Sequence, residues 1–561
     1  MTSKAGRWVR RGLIVVGVAL LLFGGVAEYF HWWDRYIETG LGRWAVAEVA
    51  ERSHGVYRLV LGDLDFRPVG GSMSFDSAVV VTDTALNRAL GAPFPTLSVR
   101  AVGCRISKVS VLRLMLAKRF EARAMGCGVV STAIVLAPPG ADPPPAQADS
   151  PRRADSVPGG ARPPRQLQAP LGIRIFEISN IAFPALQFSL RRVGLKGEAS
   201  FEIEQARFMG DEAHFNPTAT PGSPEAFWSR GVRLEASNLR FRPTALSQLA
   251  LGAIDIGLTD STLSLGHLTV GPTVTDEEWK RNQKVRSDRI KFSLDTLVAV
   301  GLQYRTLVRT NELHLRRLTL RGARLDVLSD KRLPSGPSKA HDGPQRNAQQ
   351  VAPAVRADTI EIDSSEVGYS ERSPKGDRPG RVDFKALSAR ITSIHLPSSG
   401  TPLTIDVSAK LMGEGALAVH ASVPLDAPDF RFTLTGRLGS MPASAFNGFL
   451  TATQPVQLKN GQIDSVVFAM NATGGHNATT LTPYYRDLGV DVINRGGVGG
   501  FLKAGLIEVG ANKLKVRSRN PDSPKDPPRT AKVSRRYEPT QSYISFLWLS
   551  IRDGLLKAII K

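Results

Sequence analysis

The fold is decided by two neighbouring stretches, LTIDVSAKL at 403–411 and LAVHASVPL at 417–425, in which apolar and polar side chains alternate. The stretch RFTLTG at 431–436 continues the same pattern. Alternation with a period of two places the apolar side chains on one face of a strand and the polar ones on the other. Short Gly and Pro turns between such strands favour antiparallel pairing. The chain is therefore predicted to be mainly β, with few short helices.

The apolar positions of these strands are the candidate binding residues. They are Leu403, Ile405, Val407, Leu411, Leu417, Val419, Val423, Phe430, Phe432 and Leu434. Alternation alone favours closed sandwiches, in which two such faces pack against each other. A single rolled sheet with an open groove would produce the same pattern, so the periodicity leaves both architectures open.

Composition excludes several classes of protein. The chain has 561 residues, of which 42% are hydrophobic and 22% charged, and this balance excludes wholesale disorder. Two cysteines exclude a disulfide scaffold and a cysteine-based metal site. The nine histidines form no H-x-x-x-H pair, and the sequence has no G-x-S-x-G elbow and no phosphate loop. We therefore expect no catalytic residue, cofactor or metal, and a protein that is not an enzyme.

The two cysteines, Cys104 and Cys127, fall on adjacent predicted strands. An oxidising compartment would allow a disulfide between them. The sequence alone favours two buried free thiols.

The N-terminus predicts a membrane anchor. Residues Gly12 to Ala27 carry no charge, Arg10 and Arg11 precede them, and Trp32 and Trp33 follow as an interfacial aromatic belt. The cationic flank places the N-terminus in the cytoplasm and the bulk of the chain outside it. A cleaved signal peptide ending in Gly25-Val26-Ala27 is the alternative.

The C-terminus combines cations with an amphipathic helix. Apolar residues lie along one predicted helical stripe at Ile544, Leu547, Trp548, Ile551, Leu555 and Ile559. Basic residues precede and flank this stripe, and the headgroup candidates are Arg535, Arg536, Trp548 and Lys557. The net charge of +21 fits anionic lipid headgroups better than nucleic acid in an exported chain. A helix that caps the β-core is the structural alternative.

An internal repeat favours an elongated sheet. Residues 97–139 and 291–334 share one layout, in which a strand is followed by a short helix or turn and then by further strand. A repeat that is too small to bury its own apolar face must stack on its neighbours.

Several stretches together resemble the AsmA-like family. They are YRLVLGDLDFRPVGGSMSF from 57, FRFTLTGRLGSMPASAFNGFL at 430–450, VQLKNGQIDSVVFAM at 456–470, YYRDLGVDVIN at 484–494 and the ending SYISFLWLSIRDGLLKAI. The resemblance implies an elongated, rolled β-sheet with an open hydrophobic groove. It also implies a place in the periplasm, on the inner membrane of a double-membraned bacterium, and a role in lipid transport between membranes.

The resulting domain layout has eight segments. They are a cytoplasmic flank and transmembrane anchor (1–33), a membrane-proximal helix with an N-terminal β-groove segment (34–137), a disordered Pro-rich linker (138–170), a middle β-repeat segment (171–330), a second disordered linker (331–353), a C-terminal AsmA-like β segment (354–519), a basic linker (520–540) and the amphipathic C-terminal helix (541–561).

The expected function is therefore non-catalytic binding or conduction of phospholipid or another anionic lipid, by a single-pass inner-membrane protein. An outer-membrane or inner-membrane protein is a further expected partner, and nucleic acid is not. The alternative function is a periplasmic scaffold or chaperone for outer-membrane protein assembly or cell-envelope organisation, which would use exposed strand edges.

The topology can be measured directly. A reporter fused after Lys561 should be active in the periplasm and silent in the cytoplasm, because the cationic flank precedes the only long apolar run. A mature protein that begins at Glu28 would instead show that the segment is a cleaved signal peptide.

Overall fold

The computed structural model describes most of the chain from residue 43 to residue 560. The described residues are 43, 46–47, 49–51, 53–67, 70–91, 94–136, 175–194, 197–216, 219, 227–334, 336, 344–351, 354–374, 376–397, 400–454, 456–492, 516–538 and 543–560. The predicted anchor, the linker at 138–170 and the candidates Arg10, Arg11, Trp32 and Trp33 lie outside them. Within these residues, no helix has the length and apolar character needed to cross a membrane.

The chain forms two compact units, one up to Leu239 and one from Arg240 onward. The strands of the first unit are β1 (Tyr57–Leu61), β2 (Leu64–Arg67), β3 (Ser72–Thr82), β4 (Thr96–Ser107), β5 (Arg119–Leu136), β6 (Ile175–Gly194), β7 (Gly197–Phe215), β8 (Phe227–Trp228) and the first part of β9 (Gly231–Thr244). Its short helices are α1 (Thr84–Ala89) and α2 (Val111–Ala117).

The second unit contains the rest of the strands. They are the end of β9, β10 (Ser247–Gly257), β11 (Thr262–Pro272), β12 (Arg289–Val300), β13 (Glu312–Arg321), β14 (Arg324–Asp330), β15 (Ala354–Arg372), β16 (Gly380–Leu396), β17 (Leu403–Leu411), β18 (Gly415–Val423), β19 (Phe432–Leu438), β20 (Met441–Pro442), β21 (Val456–Thr473), β22 (His476–Val492) and β23 (Ala531–Arg536). Its helices are α3 (Asp276–Arg281), α4 (Tyr304–Thr310), α5 (Pro344–Gln349), α6 (Asn447–Thr453) after a 3₁₀ turn (Ala443–Phe446), and α7 (Tyr543–Ile559).

The mainly β class is confirmed, but the sheet is mixed rather than purely antiparallel. Strand β5 pairs in parallel with β6, and β15 pairs in parallel with both β13 and β14. Parallel neighbours need a connection of a dozen or more residues, whereas antiparallel neighbours can be joined by a tight turn. Residues 137–174 and 331–353 supply those two long connections. The two Pro-rich stretches therefore connect consecutive strands that run in the same direction, β5 with β6 and β14 with β15.

The repeated layout is present in both units. In the first unit β4 is followed by α2 and then β5, and in the second β12 is followed by α4 and then β13. Each short helix ends at a residue in the left-handed region, Lys118 with φ of 53° and Asn311 with φ of 56°. The strand that follows each helix is also one that gains a parallel partner.

Two stretches that were expected to be linkers contain ordered elements. Helix α5 lies within 331–353, and the side chain of Gln345 is buried, donating a hydrogen bond of 2.6 Å to the carbonyl oxygen of Arg431. Strand β23 lies within 520–540, and Asn520 is 1% exposed. Buried amide side chains hold these polar sequences in place, and hydrophobic patterning does not reveal such contacts.

The expectation of two free thiols is wrong. Cys104 and Cys127 form a disulfide. Strands β4 and β5 pair in register so that these residues face each other directly, with their Cα atoms 3.9 Å apart. The sequence placed the cysteines on neighbouring strands, but the register between those strands was set by tertiary pairing.

The C-terminal helix α7 covers one end of the sheet in the second unit. Its buried residues are Phe546, Ser550, Gly554 and Ala558, and they pack on β22 and β23. Ser550 accepts a hydrogen bond of 3.1 Å from the Asn477 side chain. The most deeply buried side of α7 is thus not the predicted apolar stripe. Its small residues Ser550, Gly554 and Ala558 allow the helix to lie close to the sheet, so this side faces the strands. Ile544 and Trp548 of the predicted stripe are 81% and 47% exposed.

This packing predicts unequal effects of two substitutions in α7. Phe546→Ala should lower the free energy of unfolding by about 3–5 kcal/mol, because Phe546 is fully buried among core side chains. The matched change Trp548→Ala should cost less than about 1 kcal/mol, since this side chain is half exposed. The midpoints of urea unfolding compare the two variants, and equal losses would contradict the observed orientation of the helix.

Candidate functional site

Cross-strand pairing extends the apolar face of β17 and β18 over twelve strands of the second unit. Directly opposed residues form a first row, which we call row A. Row A runs through Ile256, Leu263, Ala299, Leu318, Ile360, Ile391, Ile405, Ala421, Leu434, Met470, Thr479 and Val533. Opposed residues in a sheet share a face, so row A forms one continuous line of side chains.

A second line, row B, runs beside the first, two residues further along each strand. It passes through Ile254, Leu265, Leu297, Leu320, Ile362, Ala389, Val407, Val419, Gly436, Phe468, Leu481 and Ala531. No position in rows A and B carries a charged side chain. With neighbouring strands ~4.8 Å apart, the rows extend for about 50 Å along the sheet.

The structure brings the predicted lining residues together. Leu403 faces Val423 and Val407 faces Val419, so β17 and β18 share one apolar face, as predicted. Leu434 continues that face on β19 through its pairing with Ala421. Phe432 belongs to the packed core beneath α7. The predicted lining residues that pack against this core are Leu411, Leu417, Val419, Val423, Phe430 and Leu434. Phe430 stacks on Tyr537 with ring centroids 4.5 Å apart.

The burial of the side chains changes along rows A and B. At the β21–β23 end, Phe468 is 6% exposed and Leu481 is fully buried, in a cluster that includes Phe546 of α7. Further along, Ile405 and Val407 on β17 are only half-buried, as are Ile360 and Ile362 on β15. A sheet face packed inside a closed sandwich would bury these positions as fully as Leu481. Among the described residues, the apolar face is thus closed at the β21–β23 end. Most of its positions over β10 to β18 are half-buried, although Ala299 and Ala421 of row A are buried.

The opposite face of the same strands is polar. A row of paired residues there runs through Glu361, Arg390, Asp406, His420 and Thr435. Arg390 donates to Glu361 at 2.8 Å, and the His420 ring lies 2.7 Å from an Asp406 oxygen. A groove of about 760 Å³ on these strands is lined mainly by residues of this polar face. The two faces of the sheet therefore differ sharply in chemistry.

Most of the arginines near this sheet are neutralised by carboxylates. The nearly buried Arg289 lies 2.6 Å from Asp326, which also accepts a hydrogen bond from Arg381. Burial alone would raise the pKa of Asp326, but the two guanidinium groups outweigh burial and hold that pKa below its ordinary value. Arg289 also lies 3.0 Å from Asp276 of α3, so these ion pairs join α3, β12, β14 and β16 and stabilise the fold.

A second pocket was missed by the sequence reasoning. It has a volume of about 660 Å³ and is lined mostly by polar side chains, including His314, Arg316, Arg356, Asp358 and His395. The residues come from strands β13, β15 and β16, whose sequence separation hides their proximity. A charged residue at every second position near the strand ends was the only signal available in the sequence.

The predicted headgroup residues at the C-terminus are partly engaged in the fold. Arg535 donates to Asp553 of α7 at 2.7 Å, and Lys557 donates to the carbonyl oxygen of Lys532 at 2.9 Å. Arg536 and Trp548 are exposed. Arg535 and Lys557 thus attach the helix to β23.

In the described part of the chain, no group of three or more His, Cys, Asp or Glu side chains is arranged to hold a metal ion. No known protein-family model and no curated protein matches this chain.

The accessibility of the apolar face can be tested by thiol labelling. The two cysteines of the chain are joined in a disulfide, so an introduced cysteine is the only free thiol. Val407→Cys on the half-buried part of row B should react with a maleimide at least about tenfold faster than Ala472→Cys, which is fully buried. Mass spectrometry of timed samples gives both rates. Equal protection of the two positions would mean that the apolar face is covered.

Proposed function

We propose that this chain binds lipid acyl chains on the apolar face of its sheet and passes them between membranes. The observation that supports this most directly is the pair of uncharged rows A and B, most positions of which are half-buried over β10 to β18. An apolar surface of this extent is unfavourable in water unless something covers it. Hydrocarbon chains match both its chemistry and its continuity.

The mechanism requires no catalytic step. Each methylene group that leaves water for rows A and B gains about 0.8 kcal/mol, so a long acyl chain is held by many small contributions. No position of either row carries a charged side chain, so no strong electrostatic barrier separates neighbouring positions. A lipid can therefore shift along the face, while the polar opposite face stays in water.

The disulfide supports the proposed compartment. Cys104 and Cys127 are joined, and such bonds persist in oxidising environments such as the bacterial periplasm. The apolar run at 12–27, with its cationic flank, fits an inner-membrane anchor. The resemblance to AsmA-like proteins agrees with both points. We therefore propose a periplasmic, inner-membrane-anchored lipid carrier.

The scaffold or chaperone function has less support. That function would use an open strand edge for pairing with client strands. In the described residues β23 pairs only with β22, but it is short and cationic, and its Lys532 carbonyl already accepts from Lys557. Short, charged edges disfavour strand addition.

The proposal is tested by placing charge on one face or the other of the same strand pair. Val407→Asp with Val419→Asp puts two carboxylates directly opposite each other on row B. These carboxylates should strongly reduce co-purifying phospholipid, because an ionised group in hydrocarbon costs several kcal/mol. The matched control is Ser408→Asp with Ala418→Asp, an opposed pair on the exposed polar face.

Lipid is measured by mass spectrometry of the purified full-length chain, and folding by circular dichroism and unfolding midpoint. The control pair should retain the parent's lipid content. Equal lipid content in both double variants, with both folded, would rule out rows A and B as the binding surface. Unfolding of the row B variant alone would favour a closed, packed face.

A further inference from the structure

Helix α2 of the first unit leaves two leucines in solvent. Leu112 is 69% exposed and Leu116 is 78% exposed. Among the large apolar side chains of the described residues, Ile544 of α7 alone is more exposed than these two. Residues four apart lie one turn apart on the same side of an α-helix. The two leucines therefore form one apolar ridge on the outer side of α2.

Contacts with the start of β5 hold α2 to the sheet. The backbone N–H of Ser110 donates to the carbonyl oxygen of Glu121 at 3.0 Å, and the Arg113 side chain donates to the Glu121 carboxylate at 2.7 Å. At the other end of the helix, the Lys118 N–H donates to the carbonyl oxygen of Arg113. The two leucines thus remain exposed although the helix is attached to the sheet.

The second copy of the repeated layout shows that this layout does not require exposed leucines. Helix α4 occupies the same place between β12 and β13 and also ends at a residue in the left-handed region. Its apolar residues Tyr304 and Leu307 are half-buried. The exposed ridge is therefore a property of α2 and not of the repeat.

The part of the chain that carries this ridge is strongly basic. From β4 to β5, residues 96–136 contain seven Lys and Arg and a single acidic residue, Glu121, which gives a net charge of +6. Six of the seven cations are exposed. Four of the exposed cations lie within six residues of α2 in the sequence: Arg105, Lys108, Lys118 and Arg123. An apolar ridge flanked by cations is complementary to an anionic bilayer, which has charged headgroups above an apolar interior.

We propose that the outer side of α2 is a membrane-contact surface. Leu112 and Leu116 insert into the interface of an anionic bilayer, and Lys108 and Lys118 contact its phosphate groups. A helix of seven residues is about 10 Å long, so it lies along the interface and does not cross the bilayer. The proposal rests on the proposed anchor at 12–27 and does not depend on lipid binding by rows A and B.

The anchor makes this contact feasible. Two leucines bind a bilayer weakly, but an anchored chain holds them at a high local concentration beside it. Tyr57 donates to the carbonyl oxygen of Pro95 at 2.8 Å, so β4 begins beside the first strand, and its 12 residues separate α2 from that point by about 40 Å. Fifteen residues, 28–42, precede the first described residue and reach at most about 50 Å. Helix α2 can therefore reach the membrane that holds the anchor.

The test measures where a label on α2 lies relative to the bilayer. Leu116→Cys supplies the single free thiol of the full-length chain, since Cys104 and Cys127 are joined, and it carries the fluorophore nitrobenzoxadiazole. The protein is floated with vesicles of phosphatidylcholine, with or without one third of phosphatidylglycerol, and quenched by nitroxide-labelled lipid or by aqueous iodide. We expect quenching by the lipid on the anionic vesicles, and its loss at about 0.5 M salt, which screens the charges.

The matched control is Thr310→Cys, an exposed position near the end of α4, whose label should be quenched by iodide alone. In the L116C protein, K108Q with K118Q should lower the ratio of lipid-quenched to iodide-quenched label about fivefold for each lysine. This follows because a cation beside an anionic surface contributes about 1 kcal/mol. The unfolding midpoint of each variant should match the parent, because the replaced side chains are exposed.

The outcomes separate the α2 surface from the anchor. A protein that floats with the vesicles while its Leu116→Cys label stays in water would overturn the α2 surface and leave the anchor intact. A protein that does not float would overturn both. Equal lipid quenching of the labels on α2 and α4 would show adsorption of the whole chain and would overturn a specific surface. A label that responds to soluble polyglutamate and not to vesicles would assign α2 to an acidic protein and overturn the membrane contact.

Discussion

The in-register pairing of twelve strands in the second unit is the constraint on which the rest of the structure depends. A shift of one residue between any two neighbours would turn apolar side chains onto the polar face and break rows A and B. Pairings such as Val407 with Val419 and Leu318 with Ile360 therefore align the apolar side chains of neighbouring strands. They convert weak alternation in each strand into one apolar surface that is several times wider than any single strand.

Parallel pairing is the second constraint, and it depends on the long connections. Residues 331–353 connect the end of β14 to the start of β15, which lies beside the start of β13. Strand β15 therefore runs beside β13 and β14 in the same direction. This arrangement places Arg356 beside His314 and gives the polar pocket its residues. An antiparallel turn after β14 would have brought the opposite end of β15 to that position.

The two ends of the apolar face differ in how deeply their side chains are buried. At the β21–β23 end α7 contributes Phe546 to a packed core, and small residues such as Gly554 allow the helix to lie close to Leu481. Over β10 to β18 most positions of the face are half-buried. The core stabilises the sheet, and the half-buried part is the surface on which we propose that acyl chains bind.

The sequence by itself determined the mainly β class, the apolar face of β17 to β19 and the presence of a terminal helix. Each of these depends on local periodicity, which is visible within ten or twenty residues. The parallel pairs, the disulfide between Cys104 and Cys127, the buried side of α7 and the pocket at Arg316 and Arg356 were decided only by tertiary structure. They depend on register and strand direction between segments far apart in the chain, and local alternation is the same for every register and for both directions of pairing.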